Sequence, residues 1–275
     1  MINAPVPSAT ELRHPVGVFD GGVGSFDLVR RIRARYPQQD VIHLADRASF
    51  PYGAKTEKEL LESVVRATRG LVEMGAESVV LASNAPSVTV LDGLRARAQV
   101  PVLGVKPPIA AALDALPPTA LLAVAGAGVM IGSPALRAHI DAEAGGRANR
   151  VVPVVADELI ALVEDGSFLR DGAVDGQVRA FLERLRVRFP ALGGITLSST
   201  HLPWLADAFV AAAPELAFFD PADDVVAAFE PLARAGGGRL LSVATASDAH
   251  PLAEYRAIVS HLGLDLDPVL VALPD

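Results

Sequence analysis

Two strand-to-helix corners carry the residues best suited to chemistry in this chain. In the first, Ala82-Ser83-Asn84-Ala85-Pro86 follows the apolar run 77–81; in the second, Ser198-Ser199-Thr200-His201-Leu202-Pro203 follows Gly193-Gly194-Ile195-Thr196-Leu197. A hydroxyl beside an amide or an imidazole can hold a substrate oxygen or, with a base to take its proton, serve proton transfer. Asp20 closes another apolar run, Val16-Gly17-Val18-Phe19, and leads into Gly21-Gly22-Val23-Gly24-Ser25, so a carboxylate corner accompanies the two hydroxyl corners. Glycines there let backbone amides approach a small anionic ligand. The spacing of Gly21, Gly22 and Gly24 fails the dinucleotide fingerprint, and Asp20 would set an anion where a pyrophosphate sits. Each corner also has a purely structural reading, in which Asp20, a Ser or a Thr caps the next helix and His201 is a satisfied interior histidine.

Such corners act only if the chain around them folds as strands feeding helices. Apolar runs at 16–19, 41–44, 77–81, 102–105, 120–125, 151–155, 195–197, 216–219 and 240–243 read as strands. Helical patterns at 26–36, 57–74, 87–98, 130–142, 157–164, 174–189, 203–212, 223–235 and 251–262 separate them. The alternation predicts an α/β protein with mainly parallel sheets, whose ligands bind beyond the carboxyl ends of the strands. Residues 1–14 read as a loose tail, and Lys106-Pro107-Pro108 as a rigid exit at a first domain crossing. An internal echo, Ser83-Asn84 in one half and Ser199-Thr200-His201 in the other, predicts two similar domains that bring these corners together across a cleft. Outside the corners, His43 reads as a strand interior residue, Arg30 to Arg35 as a solvated helix face, His250 as a loop residue and Trp204 as a wall of the cleft.

With 51% hydrophobic but only 5% aromatic residues among 275, the core must be built from Ala, Val and Leu, as suits helices on a buried parallel sheet. A formal net charge of −8 argues against a nonspecific nucleic-acid surface. No apolar run has the length of a membrane span and the N-terminus lacks the order of a secretory signal, so a soluble cytoplasmic protein is expected. Cysteine is absent, which removes disulfides, thiolate nucleophiles and Cys-ligated zinc. Six scattered histidines without an H-x-x-x-H pair offer no ligand set for a metal hydrolase.

Val18-Phe19-Asp20-Gly21-Gly22-Val23-Gly24, Pro51-Tyr52-Gly53, Ala82-Ser83-Asn84, Leu162-Val163-Glu164-Asp165-Gly166 and the Ser198 to Pro203 run resemble, in order and spacing, the glutamate racemases of the aspartate/glutamate racemase superfamily. The match extends over about residues 15–265. The resemblance implies two pseudo-symmetric α/β domains, 1–105 plus 220–275 and 106–219, with the active-site cleft between them. It implies a small carboxylate-bearing substrate, an amino acid such as glutamate or a related acid, handled without a cofactor, nucleic acid or membrane; a homodimer is left open. The family's reaction uses two cysteines on opposite faces of the substrate α-carbon, and Ser83 and Ser199 occupy those positions here. By the same resemblance Asp20 supports the first base, Glu164 and His201 support the second, and Gly21, Tyr52, Gly53, Asn84, Ala85 and Thr200 hold positions that touch substrate. Gly21 and Ala85 stand where the family has Ser and Thr, Val129 where it has a substrate-contacting Thr, and Pro107 where it has an acidic residue.

Two functions follow. One is an isomerase-like enzyme, or a related lyase, with altered acid/base chemistry: Asp20 and His201 either activate the serines or act directly while the serines bind substrate oxygens. The other is an inactive homologue that binds a ligand or a protein partner.

Overall fold

Ten strands, β1 (Val16–Asp20), β2 (Val41–Ala45), β3 (Ser78–Leu81), β4 (Val102–Gly104), β5 (Leu121–Gly126), β6 (Val151–Val155), β7 (Leu192–Leu197), β8 (Ala217–Phe219), β9 (Leu240–Ala244) and β10 (Val269–Leu270), alternate with helices in this computed structural model, which describes residues 9–170, 173–264 and 266–274. They form two sheets, ordered β10-β9-β2-β1-β3-β4 and β6-β5-β7-β8, in which every pairing is parallel. β1, β2 and β3 are buried along their whole length, which is why they read as unbroken apolar runs rather than alternating ones.

The strand order fixes where a ligand can sit. β1 lies between β2 and β3, so the connections leaving β1 toward β2 and leaving β3 toward β4 diverge and open a crevice at their carboxyl ends. β5 lies likewise between β6 and β7, opening a second crevice where β5 and β7 end. Asp20 and Ser83 stand at the first crevice and Ser198 to His201 at the second. Chain order and sheet order thus place Asp20, both serines, Thr200 and His201 at two switch points.

The helices fasten these edges. Helix Glu57–Glu73 opens with a capping box, Thr56 accepting from the Glu59 amide while the Glu59 side chain accepts from the Thr56 amide. Its Leu60, Val64, Ala67 and Leu71 recur at helical spacing and pack into one apolar cluster with Phe19, Ile42 and Leu81 of the sheet. Each such large side chain contributes about 1.5–3 kcal/mol by leaving water. Gly17 is required in β1 because a Cβ there would stand 2.9 Å from Leu71 Cδ1. Helix Ser25–Arg35 buries Phe26, Leu28, Val29 and Ile32 against the same sheet's other face.

Several boundaries differ from the sequence expectation. The helix expected at 87–98 begins at Asn84 and breaks at Val90, giving Asn84–Thr89 and Leu91–Arg95. The one expected at 130–142 divides into Gly128–Ile131 and Pro134–Glu143, because Ser133 accepts from the Leu136 amide and caps a fresh start with Pro134 in first position. The segment at 203–212 opens as a 3-10 turn, Leu202–Leu205, before helix Ala206–Ala212, and that at 223–235 is helix Pro221–Ala228, capped by Asp220. Helix Ile109–Ala115 and the edge strand β10 were not anticipated. The expected tail lies outside the described residues over 1–8; beyond it, Ala9–Glu11 is a 3-10 turn and the Arg13 amide donates to Asp40 at 2.7 Å, so 9–14 is not loose. Arg31, expected on a solvated face, instead bridges Asp27, Asp220 and Asp223 at 2.6, 2.5 and 2.7 Å, tying helix Ser25–Arg35 to helix Pro221–Ala228. No helix among the described residues is long and apolar enough to cross a membrane.

Candidate active site

Asp20 ends β1 with 4% of its surface exposed. Its Oδ1 accepts from the Gly21 amide at 2.7 Å and Thr200 Oγ1 donates to its Oδ2 at 3.4 Å. It caps nothing: helix Ser25–Arg35 follows Gly24 without any side-chain cap. Burial pushes its pKa above the ordinary carboxylate value; the charge of His201 and the hydrogen bonds from Ser83 and Gly21 oppose that rise without cancelling it. Ser83 sits in extended conformation just before helix Asn84–Thr89 and makes no capping bond either, so its hydroxyl is not spent on the helix and lines the same cavity as Asp20.

The other arm follows β7. His201 Nε2 lies 2.9 Å from Glu164 Oε2, its Nδ1 lies 3.4 Å from Ser199 Oγ, and its backbone amide donates to the same Oγ at 3.4 Å. Glu164 is the last residue of helix Asp157–Glu164; its Oε2 also accepts from the Val23 amide at 3.1 Å and its Oε1 from Arg47 Nη1 at 2.6 Å. Burial lowers the His201 pKa, but the Glu164 hydrogen bond, the Glu164 charge and the Asp20 charge outweigh it and hold the imidazole above its ordinary value. For Glu164 burial acts upward, and the bond from His201 with the charges of His201 and Arg47 more than offsets it, so this carboxyl stays below its usual range. The imidazolium form is therefore favoured, with a donor on each nitrogen, one for Glu164 and one for Ser199.

The glycines of the first corner serve this meeting of two arms. A Cβ on Gly24 would lie 2.3 Å from Thr200 Oγ1 and 2.8 Å from His201 Nδ1, and one on Gly22 would lie 2.5 Å from Glu164 Oε2. The amides of Gly21 and Val23 are already bonded to Asp20 and Glu164, so these two are not free for an anionic ligand. Asn84 is turned by a bond from its Nδ2 to the Val105 carbonyl at 3.2 Å, leaving Oδ1 buried with no partner. The Tyr52 hydroxyl donates to Asp46 Oδ2 at 3.1 Å.

One cavity of about 450 Å³ is lined by Asp20, Gly21, Tyr52, Gly53, Ser83, Asn84, Ala85, Glu164, Ser199, Thr200 and His201 together. Every position to which the resemblance gives a catalytic or substrate-touching role opens onto it. Val129 lines it too, as do Phe50, Met130, Asp157 and Ile160, which the sequence reading passed over. So did it pass over Arg47, whose side chain is 3% exposed and whose guanidinium bonds Glu164, donates to the Gly21 carbonyl at 3.2 Å and covers the Phe50 ring at 4.3 Å. The only signal was a charged pair, Asp46-Arg47, directly after an apolar strand. Trp204 does not line the cavity; it packs edge-on against Phe168 at 5.8 Å. Pro107 is also absent from the lining, and its carbonyl is 3.0 Å from His139 Nε2. His43 is interior as expected, between Ser25 Oγ at 3.0 Å and Ser242 Oγ at 3.2 Å, and its burial lowers its pKa to about 3. His250, expected in a loop, closes a turn with Ser247 and meets the Phe50 ring edge-on at 5.1 Å. Among the described residues no group of three His, Asp or Glu side chains is placed to hold a metal ion.

No protein-family model matches the chain. The glutamate racemase of Desulforudis audaxviator is 34% identical over 217 residues, covering 78% of this chain and 77% of that protein. The glutamate racemase of Deinococcus radiodurans is 32% identical over 195 residues, 70% of this chain, and the match spans 65% of the relative's own length, just under two thirds. In three dimensions the chain resembles glutamate racemase from Thermus thermophilus in complex with β-chloro-D-alanine, at a TM-score of 0.73 and 26% identity, with 93% of this chain and 95% of that one covered. Identity at this level over most of both chains, carried on the same two-sheet fold, places the chain in the glutamate racemase family of the aspartate/glutamate racemase superfamily.

Proposed function

We propose that this protein is a cofactor-independent isomerase that moves a proton at the carbon next to the carboxylate of a small metabolite such as an amino acid. Its two acid/base arms are Asp20 with Ser83 and His201 with Ser199, one carried by a domain of residues 1–105 plus 220–275 and the other by a domain of residues 106–219. The observation that carries the reading is that one cavity holds both serines, Ser83 together with Asp20 and Ser199 with its Oγ 3.4 Å from His201 Nδ1.

A serine alkoxide cannot replace a family thiolate unaided. An alcohol, ionising close to water, lies about 7 pKa units above a thiol, which amounts to about 10 kcal/mol of added cost for the anion. The protons therefore belong to Asp20 and His201, and the serines relay them or hold substrate oxygens. In this reading the carboxylate form of Asp20 is the base of one face and the imidazolium form of His201, favoured by its bond to Glu164, is the acid of the other. The substrate C–H bond breaks toward Asp20 while a proton from His201 arrives on the opposite face, inverting the centre; the exchanged protonation states then suit the reverse direction.

The test is deuterium incorporation at the α-carbon in heavy water, with both enantiomers of a panel of amino acids. Exchange by the unmodified protein, lost on Asp20→Asn and on His201→Asn, supports the proposal. A second reading, a ligand-binding protein without turnover, is favoured by the serines at both thiol positions. It predicts ligands that bind without exchange and an affinity nearly unchanged by His201→Asn.

A further inference from the structure

The cavity is chemically divided, and the division bears on what it holds. Asp20, Ser83, Asn84, Ser199, Thr200 and His201 make its polar end. Phe50, Tyr52, Ala85, Val129, Met130 and Ile160 supply the apolar wall, to which Asp157, Glu164 and Ser198 add acidic and hydroxyl groups. Tyr52 contributes ring carbons and not its hydroxyl: Cδ1 and Cε1 are 3.5 and 3.6 Å from where a Gly21 Cβ would stand, while the hydroxyl is bonded away to Asp46. At the three positions where a side-chain hydroxyl would face substrate by the family pattern, the chain has Gly21, Ala85 and Val129, none of which can donate a side-chain hydrogen bond.

Charge points the same way. Among the described residues no lysine or arginine lines this cavity, whereas Asp20, Asp157 and Glu164 do. The nearby Arg47 guanidinium is already engaged by Glu164, the Gly21 carbonyl and the Phe50 ring. A second carboxylate on the substrate would enter an apolar, net acidic wall with neither a cation nor a side-chain hydroxyl at those three positions, and burying an unpaired carboxylate is strongly unfavourable. At the polar end, Asn84 Oδ1 is a buried acceptor lacking a donor, and its orientation is fixed by the bond from Nδ2 to Val105. The Asp20 carboxylate lines the cavity with Asn84 and offers an ammonium group a counter-charge.

We infer that the substrate is an α-amino acid with an uncharged apolar side chain, aliphatic or aromatic, and not a dicarboxylate such as glutamate: the amine pairs with the Asp20 carboxylate and the side chain lies against Phe50, Ala85, Val129 and Ile160. This rests on the site assignment made under Proposed function, but not on turnover. Ala85 and Val129 are then the residues that set side-chain specificity.

The experiment is calorimetric titration of the full chain with norvaline, leucine, phenylalanine, glutamate and 2-hydroxyvalerate, each enantiomer separately. Norvaline has glutamate's carbon skeleton with a methyl in place of the distal carboxylate, so the pair isolates that group. Norvaline or a larger apolar amino acid binding about tenfold or more tighter than glutamate is the expected result, with 2-hydroxyvalerate weaker than norvaline because it lacks the ammonium. Ala85→Thr with Val129→Thr shifts the ratio toward glutamate. Val129 is 47% exposed and Thr is close to it in shape, so Val129→Thr alone serves where the double variant misfolds. Glutamate binding as tightly as norvaline, no binding by any member of the panel, or a ratio unmoved in folded variants overturns the inference. Apolar amino acids that bind without α-proton exchange leave it standing and remove the isomerase reading; glutamate that both binds best and exchanges does the reverse.

Discussion

Arg47→Met removes the cation that holds the second acid/base arm from behind. The Arg47 side chain is 3% exposed and its Nη1 is 2.6 Å from Glu164 Oε1. Removing one partner of a buried pair costs about 3–5 kcal/mol, because the remaining charge is left uncompensated. Glu164 retains His201 at 2.9 Å and the Val23 amide at 3.1 Å, so the lower end, about 3 kcal/mol, applies to the pair. Loss of the stack on Phe50 and of the bond to the Gly21 carbonyl adds about 1 kcal/mol. A total near 4 kcal/mol corresponds to a fall in Tm of about 8–16 °C for a chain of this size. Arg47→Lys, which keeps the charge but not the planar fork, should lose about half as much. Urea unfolding followed by circular dichroism reads the difference directly. An Arg47→Met protein within 1 kcal/mol of the unmodified one would refute the idea that this cation is structurally committed to Glu164.

Restoring thiols with Ser83→Cys and Ser199→Cys, together with Gly21→Ser and Ala85→Thr, should produce glutamate racemisation measurable by polarimetry. The added Gly21 side chain meets only ordinary contacts at 3.5 Å, so it fits. Each single cysteine variant should be at least about 100-fold slower than the pair, since one good base serves one face. Gly24→Ala should cost about 1–3 kcal/mol through overpacking and abolish α-proton exchange, because its methyl would fall 2.3 Å from Thr200 Oγ1, whereas Gly21→Ala should leave the fold intact. His43, with its pKa lowered from 6.5 to about 3, binds its proton more readily in the unfolded chain. Its contribution to stability is fully present above pH 6.5 and is lost as pH falls toward 3, at up to about 1.4 kcal/mol per pH unit. Denaturation midpoints at several pH values should show that slope, and His43→Gln should flatten it.

What could be read from the sequence was set by local chemistry. The strands of a buried parallel sheet are continuous apolar runs, and their carboxyl ends are marked where polar residues interrupt them, so Asp20, Ser83 and Ser199 stood out before any coordinates. Helix Ile109–Ala115 escaped notice because it is short, nearly all apolar and preceded by two prolines, leaving no amphipathic period to detect. β10 is two exposed residues at a sheet edge and carries no pattern. Other features depend on partners far away in the chain. Arg47 is defined by Glu164, 117 positions on, and Gly24 is needed because Thr200 and His201 approach it from the other sheet. The orphaned oxygen of Asn84 becomes visible only once Val105 has claimed the amide nitrogen.

The most direct measurement of the central claim is a crystal structure of the protein with a bound amino acid. The account predicts that the ligand α-carbon lies between Ser83 Oγ and Ser199 Oγ, about 3–4 Å from each and with the two hydroxyls on opposite faces, its amine on the side of the Asp20 carboxylate. A ligand seated with both serines on the same side of the α-carbon, or outside the cavity that joins Asp20 to His201, would contradict it.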